Sequence, residues 1–247
     1  MGKLIILSGP SCVGKSPLDK ALYKFYPNLR KNLQHLVLYN SRAPRPGEQD
    51  GIDYHFRTRE QILELKSSQQ FAVMEVRGDL QALDINELKK QLNSGDVFFE
   101  GNPFIGRMLQ THENLEDIER LSIFMSPITK DEVEYFSTPR NNHVFKNILT
   151  NIMRRKLLRR TRKQKGELSM KDLENIEKRA ESAFTELHEA HHFDYIIPNH
   201  DGEDSENWDA FYHPVGDARL AFLSFAEILK GHKPTHVEHW EKELFED

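Results

Sequence analysis

Gly9-Pro10-Ser11-Cys12-Val13-Gly14-Lys15-Ser16 sets two glycines, a lysine and a serine at the spacing Gly-x-x-x-x-Gly-Lys-Ser. Each residue type has a duty toward a phosphate chain. The glycines let the backbone turn tightly and aim its N–H groups inward, and a helix starting at the end of the loop adds positive potential. Lys15 would pair with β- and γ-phosphates, and Ser16 would offer its hydroxyl to magnesium. Gly9, Pro10, Ser11, Cys12, Val13, Gly14, Lys15 and Ser16 are thus the expected cradle of Mg-ATP, with Lys15 also catalytic. The competing reading is a chance glycine-rich turn. Cys12 reads as a small filler, since nothing nearby in sequence supplies a base to make it a nucleophile.

A second stretch, residues 41–56, carries Arg42 and Arg45 three apart, stiffened by Pro44 and Pro46, with Tyr54 further on. Two fixed guanidinium forks suit a dianionic phosphate, and a tyrosine hydroxyl can donate to the same group. Alone, the stretch would read as a proline-rich surface loop. Beside an intact phosphate loop it reads as the grip on a phosphorylated acceptor.

These groups need a scaffold. Residues 4–7, Leu-Ile-Ile-Leu, form a continuous apolar run ended by Ser8-Gly9-Pro10, the pattern of a strand buried on both faces. A helix should follow the loop, tolerate Pro17 in its first turn and end near Tyr26-Pro27. Further strands are expected at residues 36–39, 71–76, 97–100, 121–125 and 195–197, with helical patterns between several of them, which predicts an α/β chain with a mostly parallel sheet. Residues 145–163 and 171–191 are two long polar helical patterns, separated at 164–167, that suit a mobile lid. Residues 200–207 form an acidic loop, residues 218–229 an apolar helix, and the polar tail from Gly231 should be partly ordered at best.

A chain of 247 residues with formal net charge -5 has room for one main domain and a small mobile one. That balance argues against coating nucleic acid through overall charge. One cysteine excludes an internal disulfide framework, and no leader or long apolar span is evident, so a cytoplasmic location without membrane insertion is expected.

In the order of its motifs, from about residue 3 to about residue 200, the chain resembles the guanylate kinase family. The resemblance implies a P-loop kinase core with a mostly parallel sheet, an acceptor-binding lobe at about 35–95 and a helical lid at about 137–190. These would form one domain, 1–200, followed by a C-terminal extension, 201–247, that carries a helix. It implies phosphoryl transfer from ATP, with Mg2+, to a nucleoside monophosphate, GMP to GDP being the best match. Arg42, Arg45 and Tyr54 would hold the acceptor phosphate, Arg42 sharing in catalysis. Arg160 before Thr161 and Arg179 within residues 176–180 match the catalytic lid arginines best, Arg155 less well. Asn199 matches a last-strand asparagine beside the adenine.

Where the family reads guanine, this chain departs from the pattern. Glu75 lies three residues beyond the usual glutamate, Gln81 stands for the second tyrosine, Leu83 for a small hydroxyl residue and Leu38 for a serine. Glu100 and Asn102 stand for two aspartates near the magnesium and the acceptor. Glu75, Gln81 and Asn102 are therefore the expected acceptor contacts, with Ser16 and Glu100 as metal ligands. Because a base pocket selects through paired polar atoms, a kinase of another phosphorylated acceptor, such as a ribose phosphate, is a competing expectation. A non-catalytic guanylate-kinase-like binding module is another, although such modules typically have degraded P-loops. The basic run Arg154, Arg155, Lys156, Arg159, Arg160, Arg162, Lys163 and Lys165 reads as a solvated face, a lid or, less simply, a nucleic-acid surface. Small-molecule nucleotides are the expected partners, with no nucleic acid. His188, His191, His192 and Asp194 fit no standard metal-ligand spacing. Nothing in the sequence bears on oligomeric state.

Overall fold

The computed structural model describes residues 1–45, 47–138 and 140–245. Pro46, expected to stiffen the arginine loop, and the last two residues of the extension lie outside the described residues. Along the chain run β1 (Leu4–Ser8), α1 (Lys15–Phe25), α2 (Pro27–Lys31), β2 (Leu33–His35), β3 (Tyr39–Asn40), β4 (His55–Phe56) and α3 (Arg59–Leu65). Next come β5 (Phe71–Val76), β6 (Asp79–Asp84), α4 (Ile85–Ser94), β7 (Asp96–Gly101), α5 (Pro103–Thr111) and β8 (Arg120–Ser126). The last elements are α6 (Lys130–Ser137), α7 (Asn142–Lys165), α8 (Met170–Leu187), β9 (Tyr195–Pro198) and α9 (Gly216–Leu229).

β1 is buried at every residue because it is the central strand of a five-stranded sheet, β2-β7-β1-β8-β9, in which every pairing is parallel. The pleat divides its side chains. Ile5 and Leu7 join Leu18 and Leu22 of α1 and Phe225 of α9 on one face; Leu4 and Ile6 join Leu109 of α5, Leu157 of α7 and Leu187 of α8 on the other. Helices on both faces of an all-parallel sheet follow from that two-sided burial. The ends of β1 and β7 then deliver the phosphate loop and Glu100 to the same edge, since Leu7 pairs with Glu100 and Ser8 with Gly101.

Residues 36–39 are not a single strand. β2 ends at His35 in the large sheet and β3 begins at Tyr39 in a second, four-stranded sheet, β4-β3-β6-β5. Leu36 and Leu38 are buried as the chain crosses between the two sheets, so the apolar run marks a crossing rather than a strand. β6 has no counterpart among the expected strands. It pairs antiparallel with β5 through a two-residue turn, Arg77-Gly78, with φ +55° and +90°.

α7 and α8 form the expected helical hairpin. Gly166, at φ +78°, ends α7, and Ser169 opens α8 with a reciprocal cap to Asp172. The tail is better ordered than its polarity suggests. Glu238 exchanges backbone hydrogen bonds with Ile196 of β9 at 2.8 and 3.0 Å, and Trp240 is fully buried against the core.

Candidate active site

Gly14, at φ +109°, ends the phosphate loop and caps α1, whose first residue is Lys15. The position tolerates only glycine, because a Cβ would stand 2.6 Å from Asn199 Nδ2 and 2.9 Å from the Trp208 ring. Lys15 donates from Nζ to the loop carbonyls of Gly9 at 2.8 Å and Pro10 at 3.0 Å. Burial drives its ammonium below the ordinary lysine range, against the opposing pull of Glu203, Glu100 and Glu186. Ser16 Oγ donates to Glu100 Oε1 at 2.9 Å, and burial pushes the Glu100 carboxyl up to about 7. Cys12 is buried and its thiol is pushed up to about 12, first by burial, which accords with a filler and not a nucleophile.

In the loop between β3 and β4, Arg42 sends Nη1 and Nη2 to the two carboxylate oxygens of Glu48 at 2.6 and 2.7 Å, and its guanidinium lies 5.1 Å from the Tyr54 ring centre. The Arg45 backbone N–H donates to the same Glu48 carboxylate at 2.7 Å. Glu48 therefore sets both arginines of the loop. Burial works against the Arg42 charge, but the Glu48 hydrogen bond and field win and raise its pKa. Burial raises the Tyr54 hydroxyl, leaving it a neutral donor.

Gln81 pairs with Met74, on the face of the small sheet whose residues Ala72, Met74 and Leu83 pack toward the core, and Asn40 lies opposite it on β3. Glu75 does not join it. Period two along β5 turns Glu75 to the other face, with Phe71 and Val73, where it meets Arg59 of α3 at 2.6 Å and stays exposed. Asn102 caps α5 through Oδ1 and donates Nδ2 to Glu186 at 2.9 Å.

Of the two arginines expected in a lid, Arg179 reaches the phosphate loop and Arg160 reaches Glu203. Arg179 Nε donates to Ser11 Oγ at 2.9 Å. Its charge is held far below the usual arginine range by burial and then by Arg160, Arg45 and Arg77, which marks a concentrated positive field. Arg160 pairs with Glu203 at 2.8 Å. Arg155 has no part in these contacts. Asn199 is fully buried and donates Nδ2 to Val13 O at 2.8 Å and Asp201 O at 2.5 Å, tying the end of β9 to the phosphate loop.

Several residues at the site carried no motif. Glu203 N donates to Cys12 O at 3.2 Å, which lays the acidic loop directly on the phosphate loop, and Trp208 Nε1 closes that loop on Asp201 O and Gly202 O. Lys156 Nζ donates to His200 O at 2.7 Å, and Arg159 pairs with Asp204 at 3.1 Å. The acidic run at 200–207 opposite the basic run at 154–165 was the available signal. Arg77 and Glu186 gave none. Among the described residues no group of three or more His, Cys, Asp or Glu is placed to hold a metal; His188 Nδ1 meets Phe184 O and Asp194 accepts from Ser122. No described helix is long and apolar enough to cross a membrane.

The family profile described as Guanylate kinase matches residues 1–156. The guanylate kinase of Streptococcus pneumoniae (strain ATCC BAA-255 / R6) is 35% identical over 135 residues, 54% of this chain and 62% of that protein, so the match spans less than two thirds of that relative. The guanylate kinase of Synechococcus sp. (strain JA-3-3Ab) is 30% identical over 216 residues, 86% of this chain and 83% of that protein. A crystal structure of guanylate kinase from Anaplasma phagocytophilum superposes with a TM-score of 0.52 at 19% identity, covering 93% of this chain and 85% of that one, a likeness of fold. With the matched profile running through the phosphate loop, the arginine loop and the strand bearing Glu100, the chain belongs to the guanylate kinase family.

Proposed function

We propose that this protein transfers the γ-phosphoryl group of Mg-ATP to the phosphate of a nucleoside monophosphate, GMP being the first acceptor to test. The observation that carries the reading is that Lys15 and Arg179 both contact one phosphate loop, with Arg160 and Arg45 close enough for their charges to bear on Arg179, Arg45 coming from the loop between β3 and β4. Phosphoryl transfer asks for little covalent chemistry. It needs two phosphates held in line and the charge on the transferring group neutralised.

Lys15 and the loop N–H groups would cradle the donor phosphates. Arg42, Arg45 and Tyr54 would hold the acceptor phosphate, and Arg160 and Arg179 would neutralise charge developing between the two. Ser16 and Glu100 suit magnesium, since they offer two oxygens 2.9 Å apart and a carboxyl whose raised pKa a cation would reverse. Bound there, magnesium would offset charge on the β- and γ-phosphate oxygens. Asn199 would border the adenine. The intact Lys15 and Ser16 favour an enzyme over a binding module. Arg154, Lys156, Arg159, Arg160 and Lys165 are all engaged within the molecule, which leaves the basic helix poorly suited to nucleic acid. A cytoplasmic site accords with a lone buried cysteine.

A second reading, a different phosphorylated acceptor, has its own support. Leu38 and Leu83 are buried apolar residues on the face that carries Gln81, and Glu75 is turned away, so few polar groups there can read a base edge. The test is a coupled ADP-release assay with Mg-ATP against GMP, dGMP, AMP, UMP, CMP and a ribose bisphosphate, with Lys15→Ala as control. Turnover of GMP that the variant loses supports the first reading. Turnover of another acceptor alone replaces it with the second, and ATP binding without turnover of any would point to a binding module.

A further inference from the structure

The turn joining β5 to β6 has positive φ at both of its residues, a type that favours glycine or asparagine. Its first residue is Arg77, at φ +55°. A long side chain held in the left-handed region persists only where its surroundings fix it. Arg77 is fixed on three sides. Nη1 donates to Ser11 Oγ of the phosphate loop at 2.8 Å; Nε donates to Glu186 Oε1 of α8 at 2.8 Å, with Ser182 Oγ at 3.3 Å; and Nη2 also donates to Glu186.

Glu186 is fully buried, and its Oε1 further accepts from Ser182 Oγ at 2.6 Å and Asn102 Nδ2 at 2.9 Å. Its Oε2 is buried with no hydrogen-bond partner. Arg77 is thus the cation paired with a carboxylate taken wholly out of water, and without it that carboxylate would be strongly disfavoured. Ser11 Oγ meets Arg77 from the β5–β6 turn and Arg179 from α8 at once.

We infer that Arg77 is a positioning residue that latches the β5–β6 hairpin to α8 across the phosphate loop, so that the acceptor grip and the lid arginines close on the donor phosphates as one body. The inference rests on reading the small sheet as the acceptor lobe and the α7–α8 hairpin as the lid. It assigns Arg77 no contact with substrate. Its effect is exerted through Ser11, Glu186 and the elements that bear Arg42, Arg45 and Arg179. A transfer that depends on two phosphates meeting in line is sensitive to misplacement of one lobe by about an ångström.

Arg77→Gly removes the guanidinium while suiting the positive φ, so the turn keeps its geometry. Arg77→Lys retains a charge but not the fork. Spin labels at Leu63→Cys on α3 and Leu173→Cys on α8, both exposed positions, report the distance from lobe to lid without reference to any acceptor. In the ligand-free protein we expect one narrow distance, a longer and broader distribution in Arg77→Gly, and partial return in Arg77→Lys. With an acceptor that the parent protein turns over, kcat should fall on the order of 10- to 100-fold in Arg77→Gly, while the Kd for Mg-ATP alone changes by less than about threefold. An unchanged distance distribution in Arg77→Gly overturns the inference, as does an unchanged kcat. Failure of the parent to use GMP would instead overturn the proposed acceptor and leave the distance measurement standing.

Discussion

Glu203 places a carboxylate among the cations that a triphosphate would need. Burial raises its pKa, but Arg160, Lys15 and Arg179 together draw it below the ordinary glutamate range, so it is an anion held by the side chains proposed to bind phosphate. In the proposed function, ATP would compete with that anion for Arg160. Glu203→Gln should therefore tighten Mg-ATP binding about fivefold, roughly 1 kcal/mol, as read by fluorescence or calorimetric titration; weaker binding would mean that Glu203 orients Arg160 for the nucleotide. Glu100 gives a pH prediction of opposite character. Its folded pKa, about 7, lies above the ordinary 4.5, so its contribution to stability is complete below pH 4.5 and is lost as the pH rises to about 7. Metal ligation needs the carboxylate, so the apparent affinity for Mg2+ in the presence of ATP should climb as pH rises from 6 toward 8 and then level off. Glu100→Gln should flatten that profile and raise the stability of the ligand-free protein at pH 8, both measurable by thermal melts with and without Mg-ATP.

At the scale of elements, the caps decide where functional side chains stand. Ser169 accepts from the Asp172 N–H and Asp172 returns the bond to the Ser169 N–H at 3.0 Å, which fixes the start of α8 and thereby the rotation that aims Arg179 at Ser11 and Glu186 at Arg77. Ser169→Ala should cost about 1 kcal/mol in urea unfolding with an unchanged m-value. The elements most legible in the sequence were those whose burial the main sheet dictates. The uninterrupted apolar run of β1 and the Gly-Lys-Ser start of α1 mark the proposed donor site without reference to distant residues. The small sheet was less legible, because two-residue strands leave too few positions for a period to register, and because residues 36–39 are apolar for the sake of a crossing between sheets. Glu75 was misread for a related reason: a residue's distance along the chain from a motif says nothing about which face of a strand it occupies, and a shift of one position moves a side chain to the opposite face. Arg77 and Glu186 lie more than a hundred residues apart, and no local pattern announces a buried pair that only tertiary structure creates.

Over the whole molecule, the segment after α9 closes the fold at a point that leads back to the phosphate loop. Glu238 pairs with Ile196, its carboxylate accepts from the Lys130 N–H at 2.9 Å and from Trp240 Nε1 at 2.7 Å, and the Trp240 ring is fully buried beside Phe245. Ile196 stands three residues before Asn199, whose side chain holds Val13 O of the loop. The tail thus braces the strand that braces the loop at Val13, although a polar segment with one tryptophan gave no periodic sign of it. Trp240→Ala should cost about 3–5 kcal/mol, the price of removing a large ring from a packed core. The loss should also be local in its dynamics: hydrogen exchange should accelerate at the amides of Ile196 and Asn199, which pair with Glu238 and Ser126, and remain slow at those of β6 in the small sheet. Acceleration spread evenly over both sheets would show instead that Trp240 sets only the global stability, and that the C-terminal segment has no particular hold on the phosphate site.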